Sequence, residues 1–462
     1  MHPGEATTRT FAPLLERPAD GEKSPPRGAP PLVRLRWVIA AIIVGLAAFS
    51  ALRLWFVEGL LRPATIDGPS MAPLLLPAHF AVTCGDCGFR FACDAEHPPP
   101  AGQAVCPNCG YAGNDLAGAK ARPEDRVLID RWQLIWRSAG RGEIVAARLP
   151  AGELVVKRVA ALPGERLAIR EGDLHANEKL IRKTPAEWRL VRVLVHDNDY
   201  QPRTSAGLPP RWTGGRDSRW RADGAGFVIA ENQAAGDIDW LAYQHWPGTG
   251  NPLVPREEPT PIRDLDGFNQ GQTNRQLQPV HDVQLTCRLK VGGEGSLALA
   301  AVDRGRRLVV QIDPAGRRLT AVAGEVQLAA RDLASDLFRY PVELEFGLCD
   351  QQVLLTIDRR TLLCVPYDRF ASSGTFQSPL EIGTRGLGLE LTQLKVWRDI
   401  HYLPPSGLAE PWQAASALGS SQFALLGDNP PVSIDSRQWQ PAGVPARSIL
   451  GRVYRPFWAS GD

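Results

Sequence analysis

Net charge is almost absent from this sequence: 52 Lys and Arg face 50 Asp and Glu, leaving +2 over 462 residues. That excludes bulk attraction to nucleic acid as an organising force. Methionine is scarce, with 2 residues against 44 Gly and 40 Pro, a balance that argues against a helical bundle and for a strand-rich, turn-rich chain. Apolar runs of membrane length are missing everywhere but one place. The length excludes a single compact core, so two or three folded units are expected. The fold class read from these features is mainly β.

Residues 1–31 are rich in Pro, charged and small residues without apolar periodicity, which reads as a disordered tail. The one long apolar run follows. Residues 37–52 carry no charge, and 54–57 extend the run past Arg53, whose long side chain can snorkel. Residues 32–57 are thus expected to cross a membrane once, with Trp37, Trp55 and Phe56 as interface anchors. Arg34 and Arg36, backed by Arg17, Lys23 and Arg27, leave the N-terminus in the cytoplasm and everything after residue 57 outside. A cleavable signal peptide is the competing reading, with Phe49-Ser50-Ala51 as the cut. A long charged leader and apolar residues beyond that cut oppose it.

Shortly after the anchor comes Ile66-Asp67-Gly68-Pro69-Ser70-Met71-Ala72-Pro73. Most serines are ordinary turn residues, so Ser70 needs partners before it signifies more. Leu154-Val155-Val156-Lys157-Arg158-Val159 places a lysine inside a β-branched apolar run that reads as a buried strand. Burial disfavours an ammonium, so its pKa falls and a neutral amine becomes available to take a hydroxyl proton. The alternative puts Lys157 on the solvent face of an edge strand, a common place for lysine.

The residues that follow, Lys157-Arg158-Val159-Ala160-Ala161-Leu162-Pro163-Gly164-Glu165, resemble the K-R-V-x-G-L-P-G-[DE] block of type I signal peptidases, with Ala161 where that family usually has Gly. Gly172-Asp173-Leu174-His175-Ala176-Asn177 is similar to the family's G-x-L-x-x-N hairpin. Ser70-Met71-Ala72-Pro73 matches its S-M-x-P block, and Arg141-Gly142-Glu143-Ile144-Val145 its R-G-D-[IV]-V strand. Gly427-Asp428-Asn429-Pro430-Pro431-Val432-Ser433-Ile434-Asp435-Ser436-Arg437 matches G-D-N-x-x-x-S-x-D-S-R.

The resemblance implies that Ser70 attacks a scissile peptide bond, with Lys157 as general base that returns the proton to the leaving amine. It implies that Ser433 orients the lysine amine, that Asp435 and Arg437 pair to hold the loop, and that Asp428 and Asn429 support it. Some members carry a serine oxyanion donor where this chain has Gly68, so the Ser70 backbone N–H is expected to be the main donor. The implied substrates are membrane-inserted preproteins with small residues at the first and third positions before the cut, and no cofactor is needed for catalysis. Leu74, Leu75, Leu76, Phe80, Phe457 and Trp458 are candidates for substrate or lipid contact, or ordinary core.

Two insertions interrupt these blocks. Cys84-Gly-Asp-Cys87 and Cys106-Pro-Asn-Cys109 have the spacing of a four-cysteine zinc ribbon, with Gly88 and Gly110 suited to the knuckle turns. A structural zinc held by Cys84, Cys87, Cys106 and Cys109 is expected. Disulfides are the alternative that an extracytoplasmic compartment would favour, and Cys93 is a spare. The second insertion, 184–406, is hard to read up to about residue 279. Beyond it, strand patterns at 283–291, 296–302, 307–312, 318–322, 342–349, 352–357 and 387–397 argue for an antiparallel sandwich. Their order resembles laminin-G or concanavalin-like jelly rolls, which implies a glycan or protein ligand, or a spacer. Cys287, Cys349 and Cys364 read as buried small hydrophobes, with a bridge between the last two as an option.

The expected organisation is a tail at 1–31, an anchor at 32–57, an all-β catalytic core at 58–83, 114–183 and 407–462, a ribbon at 84–113 and the long insertion at 184–406. The expected function is removal of signal peptides by a serine–lysine dyad. The alternative is an inactive envelope protein that keeps the peptidase scaffold to display its binding modules.

Overall fold

The structure is a computed structural model that describes residues 31–56, 59–203, 209–232, 236–246, 259–272, 275–334, 336–370, 378–408 and 410–455. The expected tail, Val57, Phe457 and Trp458 lie outside the described residues. The chain divides into two units, Met1–Gly59 and Leu60–Asp462.

Among the described residues of the first unit, the helix Pro31–Phe56 has an apolar stretch at Leu35–Leu54 with mean hydropathy 2.1, none of it buried. Twenty residues at the helical rise cover about 30 Å, the thickness of a bilayer core. The helix is therefore long and apolar enough to cross a membrane.

The second unit is almost entirely antiparallel β. The sheet that carries Lys157 runs in the order Leu61–Thr65, Arg126–Asp130, Ile449–Tyr454, Ile144–Arg148, Leu154–Ala161, Gln422–Leu426 and Val444–Pro445. Strands from both ends of the sequence alternate, so residues near 60 and near 450 share one sheet with the Lys157 strand. A smaller sheet, which includes Leu167–Arg170 and Asp173–Ala176, packs Leu167 and Ile169 against Ala160, Ala161 and Leu426. Arg141 forks onto both Glu165 oxygens at 2.6 and 2.7 Å, which ties two of the sequence blocks together.

The long insertion is a two-sheet sandwich. One sheet is ordered Arg221–Asp223, Gly226–Ile229, Gly388–Arg398, Val283–Gly292, Val342–Leu348, Gln352–Ile357 and Arg360–Pro366. The facing sheet is ordered Trp212–Gly214, Asp239–Tyr243, Leu380–Arg385, Ser296–Asp303, Arg306–Asp313, Arg318–Ala323 and Val326–Asp332. Leu285, Phe346 and Leu355 from the first meet Leu299, Val310 and Ile382 from the second in one core. Alternation accounts for it: in Arg306–Asp313, Leu308, Val310 and Ile312 are buried and polar neighbours are not.

The sandwich begins earlier than the expected residue 280. Val193–Asp197 pairs with Gly388–Arg398, and short strands between residues 212 and 243 join both sheets. These strands run only three to five residues, too few for a readable period. One cysteine expectation fails and the optional bridge does not form. Cys364 is exposed rather than buried, and Cys349 and Cys364 are both free thiols.

The insertion is welded to the segment before it. Thr184 and Glu187 form a capping box on the short helix Pro185–Arg189, and its Trp188 covers Leu354 and Cys349 on the outer face of the sandwich. Lys183 Nζ lies 2.7 Å from Asp350 and 2.9 Å from Asp399. Phe346→Ala, which empties the middle of the sandwich core, is expected to cost about 3–5 kcal/mol in denaturant unfolding.

Candidate active site and cysteine cluster

Ser70 sits in a single turn, Pro69–Met71, entered from an extended Gly68. Ile66, Met71 and Leu75 are buried against Val127, Ile129 and Ala146 of the sheet. Three apolar anchors thus fix the turn and leave Ser70 half-exposed. Leu75 is core, whereas Leu74 is exposed. Phe80 packs with the small core around Val82 and Cys93. A Cβ at Gly68 would meet nothing within 4 Å, so no steric need calls for glycine there.

Lys157 is 4% exposed, which answers the edge-strand alternative: its strand lies inside the sheet, between Ile144–Arg148 and Gln422–Leu426. Burial is the main cause that holds its amine at about 8, below the usual lysine value, and the Asp435 carboxylate opposes that shift. Leu426 pairs with Arg158, so the chain leaves the sheet at Gly427 beside Lys157. A side chain at Gly427 would collide with Ser433 Oγ and with the carbonyl of Ser70. The Ser70 turn, the Lys157 strand and the 427–437 loop therefore meet at one corner of the sheet. Among the described residues, the Ser70 hydroxyl and the Lys157 amine make no hydrogen bond.

The loop holds itself by charge. Arg437 donates to both oxygens of Asp435, at 2.8 and 2.7 Å, and to the carbonyls of Leu403, Pro430 and Ser433. Ser433 Oγ donates to Asp435 Oδ2 at 2.7 Å, and Gly427 N donates to the same oxygen. Asp428 is gripped by Arg158 through two hydrogen bonds, both residues buried. Asn429 donates from its backbone to Ser70 O at 3.0 Å and from its side chain to Pro69 O at 2.9 Å.

Two contributors escaped the sequence reading. Arg158 carried a signal, a second charge in an apolar strand that needs a buried counter-charge. Asn269 pairs with Asn429 from within the long insertion, and no local pattern announces that contact.

The four cysteines Cys84, Cys87, Cys106 and Cys109 are buried with ligand atoms all within 4.8 Å of one another. Two matching knuckles present them: Gly88 N bonds Cys84 O and Gly110 N bonds Cys106 O, each glycine at φ 76°. That left-handed turn favours glycine. Sulfurs from opposite knuckles lie 3.6 and 3.7 Å apart. Four thiolates at a Zn–S distance of 2.3 Å form a tetrahedron with edges of about 3.8 Å, whereas a disulfide requires about 2.05 Å. The donor set fits a tetrahedral soft cation and leaves no open position for catalysis. A zinc assay on purified protein should find about one ion per chain, lost in Cys84→Ser or Cys106→Ser; disulfides in place of free thiols at these positions would contradict the metal reading.

Residues 112–234 match the family model described as signal peptidase, peptidase S26. The match contains the Lys157 strand and leaves Ser70 and the 427–437 loop outside. No curated protein matches the sequence. Similar solved structures include the carbohydrate-binding module CBM66 from Bacillus subtilis, at 10% identity over 41% of this chain and 92% of that one, TM-score 0.23. The laminarinase catalytic domain from Thermotoga maritima is 9% identical over 45% and 98%, TM-score 0.29. The VIP36 exoplasmic/lumenal domain is 8% identical over 46% and 93%, TM-score 0.27. Likeness at these scores carries no argument about ligand or activity. The family match, which spans the Lys157 strand, supports a domain of the signal peptidase type in this chain.

Proposed function

We propose that this chain is a membrane-anchored serine endopeptidase that removes signal peptides from membrane-inserted preproteins. The observation that carries the reading is a lysine amine, 4% exposed and held at about 8, beside the loop that meets the Ser70 turn. Lys157 as free amine takes the Ser70 proton while Oγ attacks the scissile carbonyl. The Ser70 N–H is the main donor to the resulting oxyanion, since Gly68 offers no hydroxyl. The Lys157 ammonium then protonates the leaving amine, which leaves an acyl-enzyme, and the recovered amine activates the water that hydrolyses it. Ser433 spends its proton on Asp435, so a lone pair remains to accept from the lysine and orient it. Contact between Ser70 and Lys157 tightens on substrate binding, as catalytic hydrogen bonds commonly do.

In this reading the Pro31–Phe56 helix anchors the enzyme with its N-terminus in the cytoplasm and its catalytic domain outside. The cysteine cluster holds a structural zinc that takes no part in the chemistry. Ser70→Ala and Lys157→Ala should each lower preprotein cleavage in detergent by about 10³-fold or more with the fold retained; unchanged cleavage in either refutes the dyad. Since the active form is the free amine, wild-type cleavage should rise with pH through about 8 and level off above it. Stability follows the same sign. Between about 8 and the ordinary lysine value of 10.5 the unfolded chain keeps a proton that the folded one has released, so stability rises with pH across that window.

A further inference from the structure

We propose that Asn269, in the long insertion, is a positioning residue for Ser70, which makes the insertion part of the peptidase apparatus rather than an appendage. The proposal rests on the peptidase reading given above and deepens it. The peptide plane between Pro69 and Ser70 carries Pro69 O on one side and the Ser70 N–H on the other. Whatever fixes that carbonyl also aims the N–H that serves as oxyanion donor.

Asn429 fixes it. Its side-chain amide donates to Pro69 O at 2.9 Å, and its backbone N–H donates to Ser70 O at 3.0 Å. An asparagine amide can turn over, and if this one did, an oxygen would face Pro69 O. Turning over Asn429 alone would break both of its bonds to Asn269, so the pair resists it. Asn269 Nδ2 donates to Asn429 Oδ1 at 2.6 Å, and Asn429 Nδ2 donates back to Asn269 Oδ1 at 2.9 Å. This reciprocal pair uses the acceptor and one donor of Asn429, leaving its second N–H directed at Pro69 O. Both asparagines are buried, at 4% and 2% exposure, so water does not replace a lost partner and an unmade bond is costly.

Asn269 is itself held by the cysteine ribbon. Gln270 Oε1 accepts from Val105 N at 2.6 Å and Gln270 Nε2 donates to Val105 O at 2.7 Å, one residue before Cys106. Phe268 O accepts from Asp94 N at 3.1 Å, and Asp266 Oδ1 accepts from Phe268 N at 2.7 Å. The loop is thereby clamped on both sides of Asn269. Both insertions contribute: the ribbon holds the loop, the loop holds Asn429, and Asn429 sets the peptide plane at Ser70.

Asn269→Ala tests the proposal in the full-length protein in detergent. The expected result is a fall in kcat of about 10-fold or more with KM changed less than about 2-fold, together with faster amide hydrogen exchange at residues 66–72 and 427–433. Gln270→Ala should shift both readouts in the same direction and by less. Asn269→Leu keeps most of the volume, adds no charge and loses both amide bonds to Asn429, so it serves if the alanine variant folds poorly; it should show the same split. Val310→Ala, a cavity in the sandwich core, is the control for general destabilisation and should leave kcat and exchange at 66–72 unchanged. Wild-type kcat and wild-type exchange in both Asn269 variants would overturn the proposal. If Ser70→Ala leaves cleavage intact, the peptidase reading fails by itself, and exchange at 66–72 still decides whether Asn269 positions that turn.

Discussion

The burial of one ammonium group is the constraint around which this molecule is arranged. Lys157 stands in an interior strand where charge is disfavoured, and desolvation lowers its hold on a proton. Such a residue is tolerated only with compensating order around it. That order is the 427–437 loop, in which Arg437 locks Asp435 from two sides and Arg158 locks Asp428. Buried ion pairs of this kind are poor sources of stability. Here they fix direction: Asp435 accepts the hydrogen bond that the Ser433 hydroxyl donates, and the loop meets the Ser70 carbonyl at Gly427.

That arrangement changes what the insertions mean. Read as sequence, 84–113 and 184–406 are additions between blocks, removable in principle. In the fold the long insertion shares hydrogen bonds with the site, because Leu403 O accepts from Arg437 and Asn269 faces Asn429, and the ribbon bonds the loop that carries Asn269. Ile400 and Tyr402 pack in the same core as Ala160 and Leu426 of the Lys157 sheet. A deletion at 184 and 406 would therefore open the site together with the sandwich.

Much of the site was legible in the sequence, for reasons that can be named. At 427–437 the family resemblance implied the pairing of Asp435 with Arg437, which the loop makes, and the C-x-x-C spacing announced the convergence of Cys84, Cys87, Cys106 and Cys109, each knuckle being a four-residue turn. Long alternating strands such as Arg306–Asp313 were readable from period. Strands of three to five residues between 193 and 243 were not, because their pairing is decided by partners near residue 390. Asn269 was invisible for the same reason. Its role exists only once two distant asparagines are brought amide to amide.

The central claim concerns a proton on one nitrogen, so the most direct measurement is an NMR titration of the Lys157 amine in full-length Ser70→Ala protein, assigned with a Lys157→Met variant. The account predicts a midpoint near 8. A midpoint at the ordinary lysine value of 10.5 would contradict it, because Lys157 would then be charged at working pH and unable to accept the serine proton.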